Sequence, residues 1–218
     1  MYTLQRLSDE PIAMADFDTT TMARCANEEL KRISEPHRRR ILINFRDHAL
    51  AEAMGDYDAL MATCSQKHQR YEVYADNGNE FSRNLPQSYE ELVPYYRALI
   101  DANMYLIHAE PDKLVVGDDA IMTDMVQHMV VPGAIALHAF GVNEAAEDGV
   151  YLFTTRLGLV FIFDEDGMGC GEHAFGGDTS IDHMRLLGED ELPEQYFSGP
   201  KTVADFFSAN PGLEWPTA

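Results

Sequence analysis

From residue 105 onward the chain alternates. Across Ala120 to Val131 one face collects Ala120, Met122, Asp124, Val126, His128 and Val130, and the other collects Ile121, Thr123, Met125, Gln127, Met129 and Val131. Both faces are mainly apolar, which predicts a strand covered on both sides. An Asp and a His on one such face need hydrogen bonds, an ionic partner or a cavity, and this makes Asp124 and His128 candidate site residues. The same period of two predicts strands over 105–109, 114–116, 134–141, 150–163 and 168–175, with a tight turn at Gly117-Asp118-Asp119.

Upstream the period is that of helices. Residues 1–33 read as an arm with a short helix over 22–32. Ser34 as N-cap and Pro36 in the first turn open a long amphipathic helix, HRRRILINFRDHALAEAM, with Ile41, Phe45 and His48 on one stripe and Leu42, Ala49 and Ala53 on the next. Gly55 ends it, and Asp56 caps a second segment carrying Tyr57, Leu60, Met61 and Cys64. Residues 68–75 predict a first strand and 76–79 a turn. Ser88-Tyr-Glu-Glu91 is a capping box ahead of Leu92, Tyr95, Tyr96, Leu99 and Ile100. Past Gly176 the chain is loop-like, with one short helix, TVADFFSA, that has Phe206 and Phe207 to bury. Helices first and a long antiparallel sheet afterwards predict one α+β domain over 35–175, its helices packed on a strongly bent sheet, between an arm (1–34) and a tail (176–218).

Charge narrows the partners. The 218 residues hold 16 Lys and Arg against 37 Asp and Glu, a net charge of -21, which repels phosphate backbones and anionic membranes. Nucleic acid and membrane are therefore excluded as expected partners. Three widely spaced cysteines form neither a disulfide framework nor a CxxC pair. With no basic apolar leader and no long apolar run, the expected compartment is the cytoplasm.

The order and spacing of five segments resemble the nuclear-transport-factor-2-like superfamily, and within it the SnoaL-like branch of polyketide cyclases, ketosteroid isomerases and dehydratases. These are a long helix ending in ALAEAMGDYDALMATC, a capped helix SYEELVPYYRALI, a strand YLIHAEPDKLVV, a turn and strand GDDAIMTDMV, and a hairpin VFIFDEDGMGCGEHAF. The resemblance implies a cone, a cystatin-like α+β roll, enclosing an apolar pocket. It also implies that the residue after the GD turn looks inward, so that Ala120 carries Met122, Asp124 and His128 with it. His48 matches a pocket position on the helix, and His108 matches in residue type a His that opens this strand in dehydratase-like members. The isomerases' general-base Asp on the first strand has no counterpart among Tyr71, Glu72 and Tyr74, and their second acid falls near Leu159, so their mechanism is not carried over.

These residues suggest chemistry by proton transfer. His108 on a neighbouring strand is placed to reach Asp124, which would orient the imidazole and raise its pKa, as a general base near neutral pH requires. His48, Tyr71 and His128 then position the substrate, and Arg156, in an otherwise apolar strand, needs an acidic partner or an anionic ligand. No HxH, HExxH, calcium-loop, phosphate-loop or GxSxG pattern is present, so neither metal nor cofactor is implied. The expected function is cofactor-independent acid/base catalysis on a small apolar cyclic molecule, of cyclase, isomerase or dehydratase type. The alternative is a non-catalytic binding or dimerisation module, with side chains filling the pocket. A homodimer through the convex sheet face is expected from the outward set Ile121, Met125, Met129 and Val131.

Overall fold

A computed structural model describes residues 9–74, 84–176 and 179–217. Within these, the helices are α1 (Thr21–Glu29), α2 (Pro36–Met54), α3 (Tyr57–Met61), α4 (Tyr89–Asp101), α5 (Gly133–His138), α6 (Glu194–Ser198) and α7 (Val203–Ala209). The strands are β1 (Arg70–Tyr74), β2 (Ile107–Val116), β3 (Ala120–Pro132), β4 (Val150–Phe163), β5 (Gly169–Gly176) and β6 (Met184–Leu186). The sheet runs β1-β5-β4-β3-β2, with β6 beside β4. Only the β1–β5 pair is parallel among the described residues. The architecture is thus α+β, helices on a mixed and mostly antiparallel sheet, as the order of elements predicts. The turn expected at 76–79 lies outside the described residues.

Helix α2 is the spine of the site. Pro36 takes its first turn, and the Glu35 carboxylate, rather than Ser34, caps it by accepting from the His37 and Arg38 N–H groups. Gly55, in the left-handed region at φ 69°, stops it. The helix is buried on more than one stripe, because α1, the sheet and the C-terminal segment each cover a side: Leu42 and Phe45 meet Met22 and Leu30, while Leu50 and Met54 meet Phe206. No helix among the described residues is long and apolar enough to cross a membrane.

Two strand expectations are corrected. Residues 134–141 are not a strand; they hold helix α5. Pro132 cannot extend the ladder through an N–H, and Gly133 turns so tightly that a Cβ there would lie 1.9 Å from the Ala146 carbonyl oxygen. The apolar run that follows suits either period, and as a helix it lays Ala136 and Phe140 against Met129 and Phe153. Residues 105–109 and 114–116, expected as separate strands, join in β2. That strand crosses an irregularity between Pro111 and Lys113, tolerated because β2 is at the edge of the sheet.

The register of β3 is opposite to the one the resemblance implies. Ile121 and Met125 pack with Ile41 and Leu42 of α2, so the odd-numbered face looks toward the helices, and Met122 on the other face is 50 % exposed. Alternation fixes the period of a strand, but with apolar residues on both faces it does not say which face is covered by helices. The set Ile121, Met125, Met129 and Val131, expected to face a second subunit, is buried inside this chain instead.

What covers the outer face is the N-terminal segment. The Asp18 N–H donates to His108 Nδ1 at 3.0 Å, the Phe17 ring lies 6.0 Å from that imidazole, and Asp9 pairs with Arg156 at 3.3 Å. At the C-terminal end β6 pairs with β4, and Trp215 packs under the Arg46 guanidinium, 4.4 Å from the ring centre.

Candidate functional site

Between α2, α4 and the inner face of the sheet lies a cavity of about 240 Å³. Leu99, Met125, Met129, Phe153 and Leu157 make much of its wall. The apolar pocket that the resemblance implies is therefore present, and Met122, expected to look into it, points away from it.

One end of this cavity is polar. His48 and Glu52 stand one turn apart on α2, so both face it. Tyr71 on β1 is the register partner of Glu172 on the parallel strand β5, and both also line it. Tyr95 of α4 lines the same wall, and its neighbour Tyr96 is buried behind. The Tyr96 hydroxyl is the junction: it lies 3.0 Å from the Tyr71 hydroxyl, 3.2 Å from His48 Nε2 and 3.5 Å from Glu172 Oε1. His48 Nε2 is itself 3.6 Å from Glu172 Oε1.

The tautomer of His48 follows from its other nitrogen. The Thr63 hydroxyl donates to the Leu60 carbonyl at 2.6 Å, so it accepts from His48 Nδ1–H at 2.7 Å, which leaves Nε2 as an acceptor toward Tyr96. Burial pushes the His48 pKa down to about 4, and the ring is neutral at neutral pH. The carboxyls go the other way. Burial, and then the nearby Glu52 charge, hold Glu172 well above the ordinary carboxylate range against a smaller opposing effect of the Tyr96 hydrogen bond. Burial raises Glu52 as well. Tyr71 and Tyr96 are also raised, burial being the main cause, so both remain neutral hydroxyl donors. Two carboxyls that resist ionising together can keep a proton near neutral pH, leaving one group able to give it and another able to take it.

Of the six residues singled out from sequence, the structure brings His48 and Tyr71 to this cavity. His108, Asp124, His128 and Arg156 share the outer face of the sheet and do not line it. His108 and Asp124 form no dyad. In register His108 is opposite His128, with ring centres 5.7 Å apart, and Asp124 lies four residues along β3, about 13 Å on an ideal strand. Asp124 instead joins Asp112 and Asp9 on the Arg156 guanidinium. His128 bonds the Thr154 hydroxyl at 2.9 Å. Burial lowers the His108 pKa despite Glu110, Asp18 and Asp16 nearby, the reverse of the expected shift. Arg156 has the acidic partners its strand context demanded, and they come from the protein.

Glu52, Glu172 and Tyr96 were not singled out. Glu52 carried a signal, since it follows His48 at i+4 on a helix whose register was legible. Tyr96 read as a core residue at helical spacing, and nothing in its own segment placed it against β5. Among the described residues no cluster of three His, Cys, Asp or Glu could hold a metal ion.

No family model matches the chain, and no curated protein matches it. Among solved structures it is similar to Rv0760c from Mycobacterium tuberculosis, at 10 % identity, covering 68 % of this chain and 96 % of that one, with a TM-score of 0.47. It is also similar to a Δ5-3-ketosteroid isomerase from Mycobacterium sp., at 12 % identity, 68 % and 98 % coverage and a TM-score of 0.44. An NTF2-like protein from Burkholderia pseudomallei is matched at 13 % identity, 62 % and 88 % coverage and a TM-score of 0.43. The isomerase and the NTF2-like protein are, by name, of the kinds that the sequence resembles.

Proposed function

We propose that the protein is a cofactor-independent enzyme that moves a proton next to a carbonyl on a small, apolar, ring-containing substrate, a step shared by isomerase, cyclase and dehydratase chemistry. The observation that carries this reading is the pair of half-buried carboxyls, Glu52 and Glu172, at one end of an otherwise apolar cavity beside Tyr71 and His48. In it, the Tyr71 hydroxyl turns its one proton from the Tyr96 oxygen to the substrate carbonyl oxygen and stabilises the charge that develops there. Of the two carboxyls, the one that is ionised takes the proton from the adjacent carbon, and the other holds or returns one. Tyr96 and His48 act through others: the Tyr96 hydroxyl shares its one proton between the neutral Nε2 of His48 and Glu172, and this holds it against Tyr71.

The test is uptake of deuterium from D2O at the carbon beside the carbonyl of 2-decalone, followed by proton NMR. The protein should accelerate exchange over buffer, and Glu172→Gln should lower the rate by about 10²–10⁴ while 2-decalone still binds. Binding without exchange in the unaltered protein would show a carrier of small molecules rather than an enzyme.

A further inference from the structure

The far wall of the same cavity holds two polar side chains that the proposed chemistry does not use. Gln127 of β3 and Thr155 of β4 are cross-strand register partners, and both line the cavity. Such partners have Cβ atoms about 4.5–5.5 Å apart, so amide and hydroxyl reach the same volume. Around them the wall is apolar: Ile107, Met125, Met129, Phe153 and Leu157. Thr155 is only 8 % exposed. Neither side chain makes a hydrogen bond among the described residues, in contrast to Thr154 next along the chain, which holds His128. An amide and a hydroxyl side by side, reached from the cavity and set in an apolar wall, form a polar point that a ligand oxygen can meet.

Their position sets the ligand's shape. Along β4, Phe161 is the partner of Glu172, and Thr155 lies six residues before it, about 20 Å on an ideal strand. Tyr71 reaches into this span from one side and Gln127 from the other. We infer that Gln127 and Thr155 form a distal anchor for a second oxygen function, a hydroxyl or carbonyl, at the end of an apolar two- or three-ring substrate opposite its reacting carbonyl. This inference rests on the proposed proton-transfer reading for the near end, while its own evidence is at the far end.

A matched pair of probes isolates the anchor: 4-cyclohexylcyclohexanone and 4-(4-hydroxycyclohexyl)cyclohexanone, which differ by one distal hydroxyl. Isothermal titration calorimetry on the unaltered chain and on a Gln127→Leu/Thr155→Val variant gives the affinity ratio of the two ketones in each. The ratio should favour the hydroxyketone in the unaltered protein and fall about tenfold in the variant, with the plain ketone bound as well as before or better. An unchanged ratio, with both ketones bound, overturns the anchor and leaves the acid/base reading standing. Deuterium exchange on the hydroxyketone should persist in the variant at saturation, its effect confined to KM. If neither ketone binds the unaltered protein, both readings fall together. Thermal unfolding of the variant guards against misfolding, and single Thr155→Val, which keeps shape, should lower the ratio in the same direction.

Discussion

Replacing Tyr71 by phenylalanine keeps the ring and removes the one hydroxyl of the Tyr71–Tyr96 pair that borders the cavity. If it donates to the developing oxyanion, Tyr71→Phe should lower the exchange rate by about 10²–10³, the scale for one oxyanion donor. Tyr96→Phe separates positioning from contact. The Tyr96 hydrogen bond is the influence that lowers the Glu172 pKa, so removing it should raise that pKa further and move the ionisation of the carboxyl pair to higher pH. The rate profile of Tyr96→Phe should therefore shift toward alkaline pH with a smaller loss at its plateau. A profile that keeps its midpoint would show that Tyr96 does not act on Glu172. At this scale the sequence was half legible. His48 and Tyr71 could be placed because a capped helix and a Tyr-rich strand have definite registers. Asp124, His128, His108 and Arg156 went to the wrong face because β3 is apolar on both sides, and only the packing of α2 on Ile121 and Met125 decides which side is inner.

At the scale of elements, the outer face explains why those four residues are polar. Arg156 binds Asp112 and Asp124 of the sheet and Asp9 of the N-terminal segment, and His108 accepts from the Asp18 backbone, so the segment is held at two points. The segment also leads into Thr19 and Met22, which line the cavity. Arg156→Ala would leave three carboxylates without their shared guanidinium. It should lower stability by about 1–3 kcal/mol, the scale for breaking a hydrogen-bonded charged group. For a chain of this size each kcal/mol shifts Tm by about 2–4 °C. Limited proteolysis should then cut residues 9–20 faster than in the unaltered protein. Equal protease resistance and an unshifted Tm would mean that these ion pairs hold nothing in place. Long periodic elements such as α2, α4, β3 and β4 were legible because many residues repeat one period. Residues 134–141 were not, since a short apolar run fits strand and helix alike until Pro132 and Gly133 force the turn.

For the molecule as a whole, the net charge of -21 and the carboxyl pair in the cavity act on stability in ways that salt separates. Surface repulsion is screened as the Debye length falls from about 10 Å at 0.1 M to 3 Å at 1 M salt, so Tm should rise between 0.05 and 0.5 M NaCl. The burial that raises Glu52 and Glu172 is not screened in this way. Their sign is fixed by linkage. Both folded pKa values lie above the ordinary 4.5, so below 4.5 the folded and unfolded chains are protonated alike and the pair favours folding relative to its ionised form. As pH rises past 4.5 the unfolded chain releases these protons and the folded chain keeps them, and stability falls until the folded carboxyls ionise as well. Glutamine cannot titrate, so a Glu52→Gln/Glu172→Gln variant lacks this loss. Measured in 0.5 M NaCl, the Tm of the variant minus that of the unaltered protein should climb from pH 5 to about pH 8, where the folded carboxyls ionise, and then level off, whatever its value at pH 5. A difference that stays flat across that range would show that the two carboxyls ionise in the fold as they do in water, and the proton-holding pair at the end of the cavity would be lost with it.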